Sequence, residues 1–458
     1  MIQRELLEKI ASPRAGELFA ELYGPGGVEA ARQRYTALVE EMRGGDFDDG
    51  QQAAADSGDL RVFSAPGRTE LGGNHTDHNC GKVLAASIQL DNVAIVRQRR
   101  DNTVFFRSAG YPDVKISLSD EKGNPVLQPY AAEQGKTESL IRGIAAELRR
   151  CGTAVNGFSA NAASAVLPGS GLSSSAAVET LIARIFDCLY GGGVRSALEI
   201  ARIGQIAENE YFGKPCGLMD QAACALGGAV AIDFAPVPEA ADYPRLRRVS
   251  FDPAALGYAL CVVNTADSHA DLTPDYAAIP AEMKAVAAFF GKTVLAGLDR
   301  DTVLSAAAEL RKAVGDRALL RAIHFFDEND RVDEMTHALE EMGAAEHAQA
   351  KLGAFICFLE LVNESGDSSW QLLQNIYSPR NSEQQGIAAA LAISKNFFRQ
   401  QKLKGSCRVH GGGFAGTIQA YVPLDALAPY RSCIEAVFGA NSLTELRIRP
   451  LGALELEL

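Results

Sequence analysis

The chain has one tryptophan, seven histidines and no CxxC pair. Its nine cysteines, at 80, 151, 188, 216, 224, 261, 357, 407 and 433, are odd in number and scattered. That pattern supports neither a disulfide framework nor a structural zinc site. No apolar run approaches the ~18 residues of a membrane span, and the opening MIQRELLEKI is charged and helical in pattern, unlike a secretory leader. An excess of positive charge is missing too: 44 Lys+Arg minus 57 Asp+Glu leaves −13. A nucleic-acid backbone or an anionic membrane needs a basic face, so neither is an expected partner. A local basic pocket for a phosphorylated ligand stays compatible with this balance. The protein reads as cytoplasmic.

What is present is the composition of a globular protein, 47% apolar and 22% charged. At 458 residues the chain exceeds one hydrophobic core and calls for two large lobes or three smaller units. Glycine is enriched, 43 residues being about 9% against a usual ~7%. Much of the excess lies in tight clusters.

Three- and four-residue apolar steps predict helix through most of 1–45, followed by an acidic, glycine-rich loop at 44–58. From Leu60 the pattern turns to strands: LRVFSAPGR, KVLAASI, NVAIVRQ and NTVFFRSA. Helices are predicted at about 137–151, from Ala176 to Tyr190 and at 196–212, with AVAIDF and YALCVVN as strands. The later part is richer in helix, near 277–290, 301–313, 317–326 and 330–363. It closes with a strand, a glycine turn and a strand in SCRVHGGGFAGTIQAYV, then a helix near 424–438. The expected division is a helical segment 1–50, a strand-rich lobe 55–265 and a helix-rich lobe 266–458.

Two motifs fail on context. FFGKT at 289–293 lacks the upstream glycine of a phosphate-binding P-loop, position 286 being Val. GGGFAG at 411–416 fits a dinucleotide fingerprint literally, but strand-like TIQAYV follows where a helix is needed. HTDH at 75–78 offers two imidazoles and a carboxylate, without the HExxH spacing or further ligands of a transition-metal site.

Three polar clusters carry the chemistry. Ala65–Asn79 (APGRTELGGNHTDHN) places a cation, amides, two imidazoles and a carboxylate between strands, groups able to grip the hydroxyls of a polyol. Leu167–Ala177 (LPGSGLSSSAA) puts glycines and serines at a helix start, where free N–H groups and the positive dipole end attract an anion; the serines are expected to cap that helix. Arg408–Thr417 holds four glycines in six residues between strands, as expected where backbone crowds another element or a ligand.

In this order and spacing the three clusters resemble the signature motifs of the GHMP kinase superfamily. APGRTELGGNHTDHNCG is similar to the form APGRVNLIGEHTDYNGG of the galactokinases within it. GLSSSAAVE, AENEYFGKPCGLMDQAACALGG and VVNTADSHADLTPDYAAIPAEM extend the likeness over about 60–458. The resemblance implies a two-lobed α/β fold: a first lobe with a left-handed βαβ unit, a second of α/β sandwich type, and a site in the cleft between them. It also implies transfer of the γ-phosphoryl group of ATP to the anomeric hydroxyl of galactose. On this resemblance Asp220 accepts the proton of the attacking hydroxyl, and Arg68 keeps it ionised. Asn74, His75, Asp77, Gly217 and Tyr276 hold the sugar. Gly169, Ser170, Gly171, Leu172, Ser173, Ser174 and Ser175 wrap the ATP phosphates. Ser175 and Glu208 hold Mg²⁺, and the glycines of 411–416 support the site.

The chain departs from the family form at Asn74, where Glu is usual, and at His78, where Tyr is usual. A neutral amide in place of a charged acceptor implies about tenfold weaker galactose binding. It also admits an acidic or amino sugar as an alternative substrate. A catalytically silent sugar sensor is the other alternative, against which the intact Arg68, Ser175 and Asp220 stand.

Overall fold

The computed structural model describes residues 2–42, 59–166, 171–236, 244–266 and 272–458. Among them, strands β1 (Leu60–Gly72), β2 (Lys82–Gln98), β3 (Thr103–Ser108), β4 (Val114–Ser117), β5 (Phe158–Ser164), β6 (Ala229–Asp233), β7 (Arg245–Val249) and β12 (Leu454–Glu455) build one sheet. Its main path runs β12-β1-β2-β5-β3-β4, and β6 and β7 extend it from β2. Strands β8 (Tyr258–Asn264), β9 (Ser406–His410), β10 (Thr417–Pro423) and β11 (Leu443–Leu446) build the second, in the order β11-β8-β10-β9. All pairs are antiparallel except β3 with β5, which flank helix Thr137–Arg150 and make a βαβ unit.

Both faces of the first sheet are covered, which is why its strands read as nearly unbroken apolar runs. Alternate residues point to opposite sides. Leu60, Val62, Val93 and Ile95 pack under the helices Gln3–Ile10, Pro13–Tyr23 and Val28–Glu41. Phe63, Ala65, Ala94 and Val96 face Ile141, Ile144, Leu148, Leu181 and Ile185 on the other side. A buried carboxylate, Asp91, accepts from Arg34 at 2.6 Å, Tyr23 at 2.7 Å and Arg449 at 2.8 Å. With the Ser64 hydroxyl also donating, two cations and two hydroxyls around one buried charge pin the amino-terminal helices and the carboxy-terminal segment to β2.

A second core joins the sheets. Leu71, Leu84 and Ala86 meet Leu260, Val262 and Tyr421, with Phe355 and Phe358 from helix Ala348–Ser368. Strand β8, just before residue 265, already belongs to the second sheet, and β12 returns to the first. Sheet membership and chain order therefore do not divide at the same place.

Several sequence expectations differ in detail: the helix expected over 301–313 is two, Arg300–Ser305 and Ala307–Ala313, and that expected over 330–363 is broken between Ala344 and Ala348. KVLAASI and NVAIVRQ are one strand, because β2 pairs β1 along one side while its two halves pair β6 and β5 along the other. The expected break near 327–329 is absent: Asp316–Ala344 is a single helix, its inner face fixed by Phe325, Val332, Met335 and Leu339. No helix among the described residues is long and apolar enough to cross a membrane.

Candidate active site

Strand β1 breaks register with β2 between Pro66 and Arg68. Gly67 at this irregularity runs so close to the second cluster that a Cβ there would lie 2.7 Å from the Leu172 carbonyl. The Arg68 N–H donates to the same carbonyl at 3.1 Å. The side chain of Arg68 is buried and reaches the first turn of helix Met219–Leu226. There Nε and Nη2 donate to the two carboxylate oxygens of Asp220, each at 2.8 Å. Nη1 donates to the Gly171 carbonyl.

Asp220 receives one further bond, from the Ser173 hydroxyl. Desolvation alone would raise its pKa, but the Arg68 charge, the Arg68 hydrogen bonds and the Ser173 hydrogen bond outweigh it and hold the carboxyl below its ordinary value. The side chain stays one-third exposed, so an ionised acceptor remains accessible to a ligand. Ser173 was expected to cap helix Ser174–Tyr190. Instead it adopts φ 57°, makes no cap hydrogen bond and turns its hydroxyl to Asp220. Gly169 and Ser170 lie outside the described residues. Gly171 and Leu172 contact Arg68, and Ser174 and Ser175 open the helix.

The sugar-motif turn is held by the third cluster. The His75 Nε2–H donates to the Gly412 carbonyl at 2.9 Å. Burial, followed by the neighbouring His78, lowers the His75 pKa to about 3. His75 is thus a neutral imidazole whose Nδ1 carries a lone pair. Asp77 lies against the backbone of Gly217, where a Cβ would fall 1.7 Å from its Oδ2. Tyr276, in the first turn of helix Thr273–Phe289, donates to the Gly413 carbonyl at 3.0 Å and covers Gly412, where a Cβ would meet the ring at 2.4 Å. Gly171 approaches His410 and Gly411. All three clusters, together with GLMDQ and Tyr276, therefore converge on one region.

Asn74 is turned inward. Its Nδ2 donates to Glu70 at 3.0 Å and to the Gly411 carbonyl at 2.8 Å, and its Oδ1 accepts from Asn375 at 2.8 Å. With both amide hydrogens spent and the residue buried, it has no donor left for a ligand. Arg408 neutralises the buried Glu70 beside it. Charge at this corner is thus carried at position 70 and matched from β9.

For a divalent cation, the donors present are oxygen-rich and suit Mg²⁺. Glu208 is buried, with Oε2 accepting from Gln221 at 2.9 Å and Oε1 from Lys214 at 3.1 Å. Gln221 also donates to Glu179 at 2.9 Å. Glu179 stands one helical turn after Ser175, and Gln221 bridges it to Glu208. Burial, then the charge of Glu208, raises the Glu179 pKa well above its ordinary value. Glu179 Oε1 and Gln221 Oε1 are buried without a hydrogen-bond partner, leaving polar capacity around Glu208.

Three of these groups escaped the sequence reading: Glu179, Gln221 and Lys214. Glu179 and Gln221 sit on apolar helices and read as core-edge polar residues. Only the 3.6-residue phase, which stacks Glu179 on Ser175, signalled the first of them.

A relative in Glaesserella parasuis serovar 5, named galactokinase, is 30% identical over 376 residues, covering 81% of this chain and 87% of its own length. This chain belongs to the galactokinase family. The galactokinase galactose-binding signature matches residues 52–98, and the GHMP kinases N terminal domain matches 139–228. Among solved structures, the Lactococcus lactis galactokinase complexed with galactose superposes with a TM-score of 0.72 at 23% identity, covering 92% of this chain and 100% of that one. The Methanococcus jannaschii mevalonate kinase gives 0.55 at 14% identity, over 86% and 99%. Both share the two-lobed α/β fold of this galactokinase family member.

Proposed function

We propose that this chain transfers the γ-phosphoryl group of ATP to the anomeric hydroxyl of galactose, giving α-galactose 1-phosphate. The observation that carries the proposal is the Arg68–Asp220 ion pair beside the serine-opened helix. Phosphoryl transfer asks for positioned groups and charge stabilisation, with little covalent work by the protein. Asp220, held ionised by Arg68, accepts the proton as the hydroxyl oxygen bonds to phosphorus and the bond to the ADP oxygen breaks. Arg68 offsets charge on the moving phosphoryl group. Gly171 to Ser175, with Gly169 and Ser170, would cradle the phosphates. Ser175 and Glu208 would hold Mg²⁺, which neutralises phosphate oxygens when bound.

His75, Asp77, Tyr276 and the Gly217 backbone would take the sugar hydroxyls, the bare Nδ1 of His75 serving as an acceptor. Asn74, engaged inside the protein, acts on the sugar only through the turn it fixes. The relatives favour galactose over an acidic or amino sugar, and an active kinase over a silent sensor. Purified protein, MgATP and a panel of hexoses, with ADP release followed, test the proposal. Galactose-dependent ADP is the expected result. Turnover confined to another sugar would reassign the substrate, and sugar binding without turnover on any hexose would reassign the protein as a sensor.

A further inference from the structure

Lys214 stands in this site and has no part in the reaction above. It follows Gly213, whose φ of 85° ends the π-helical turn Ala207–Phe212. Its own N–H donates to the Glu208 carbonyl at 3.1 Å, folding the loop back so that Nζ donates to Glu208 Oε1, also at 3.1 Å. The partners are unequal: the Glu208 side chain is 3% exposed and that of Lys214 is 62% exposed. Their environments therefore differ in freedom as well as charge. A buried carboxylate needs a cation or a proton, and at Glu208 the cation is a solvated ammonium on a flexible stem. An ammonium has three donors. Its charge also acts on Asp220 and Tyr276, pulling the pKa of each downward.

A divalent cation and an ammonium cannot share Glu208 Oε1 without strong repulsion at contact distance. One must yield, and the exposed, long-stemmed partner is the one able to move. The other carboxylate acting on this ammonium, Asp220, is already held by Arg68 and Ser173, which leaves the oxygens of a nucleotide triphosphate for a displaced ammonium.

We propose that Lys214 is a mobile cation of this site: it neutralises Glu208 before metal arrives, yields the carboxylate to the metal, and turns to the phosphate oxygens of the bound nucleotide. The inference rests on the reading of Glu208 as a metal ligand in a nucleotide-dependent kinase. Mn²⁺ serves as the probe, its binding to full-length protein followed by loss of the free-ion paramagnetic resonance signal, without nucleotide or sugar. Lys214→Met removes the competitor, and Mn²⁺ should bind about tenfold more tightly than to the parent. The gain should vanish in the Lys214→Met/Glu208→Gln double variant and be absent in Lys214→Arg, which keeps a cation. Calorimetry with MgADP, which cannot react, should show several-fold weaker binding to Lys214→Met. Equal Mn²⁺ affinity in Lys214→Met and parent overturns the inference. So does a gain that survives Glu208→Gln, or unchanged MgADP affinity. Failure of the kinase reading shows separately, as absence of hexose-dependent ADP in the parent.

Discussion

Arg68 and Asp220 are 152 residues apart in sequence and form a two-pronged ion pair, with both N···O separations 2.8 Å. The pair forms because Gly67 lets β1 pass close to Leu172, while helix Met219–Leu226 presents Asp220 in its first turn. The planar fork of a guanidinium matches both carboxylate oxygens at once, which an ammonium does not.

Asp220→Asn should fold and retain galactose binding within a few-fold by calorimetry. Its turnover should fall by about 10²–10⁴, the range associated with losing a general base. Near-parental turnover would remove Asp220 from that role.

Arg68→Met should move the acid limb of the kcat/KM profile. In the parent, Asp220 has a depressed pKa and stays ionised well below neutral pH. Without the guanidinium, desolvation acts unopposed by its main counter-charge. The carboxyl then protonates at a pH higher by about 1–3 units, and activity is lost earlier as pH falls. An acid limb at the same pH in both proteins would contradict this account.

Gly217→Ala tests the sugar side alone. The added Cβ would fall 1.7 Å from Asp77 Oδ2, so the carboxylate must move. The KM for hexose should rise about tenfold or more, while MgADP affinity, read by calorimetry, stays unchanged. Equal losses on both substrates would point to a general collapse of the site.

Asn74→Glu places a second carboxylate against Glu70, now 3.0 Å from the Asn74 amide, and removes the donor to the Gly411 carbonyl. A buried like-charge contact with a lost hydrogen bond should cost about 2–4 kcal/mol of unfolding free energy in urea titration. The exchange Glu70→Asn/Asn74→Glu, which restores one charge and one amide, should recover most of it. Equal stability of the single and double variants would show that the two positions are uncoupled.

Much of the architecture was legible because helix and strand periods are clean where a face is buried: the opening helices, Ser174–Tyr190 and β9-turn-β10 lie where the pattern puts them. The joining of KVLAASI to NVAIVRQ was not, since whether a strand continues depends on partners, β5 and β6, distant in sequence. At the site, the motifs located Arg68, Asp77, Ser173 and Asp220 and brought their clusters together. They did not reveal that Ser173 binds Asp220 in place of capping its helix, or that Asn74 faces Arg408 and Asn375 through a shared buried network. Those outcomes turn on side-chain direction, which spacing does not encode. Lys214 was invisible for the same reason: its importance lies in a loop that doubles back on Glu208.

The pairing of β12 with β1, locked by the Arg61–Glu455 ion pair across 394 positions, sets an order of events during synthesis. A ribosome releases the motif-bearing strand long before its edge partner exists. Through that interval the nascent chain carries an uncovered strand edge, the kind of surface that recruits neighbouring chains. Productive assembly of the reaction centre is accordingly a late step, and chains cut short before β12 should yield aggregation-prone product rather than partial enzyme.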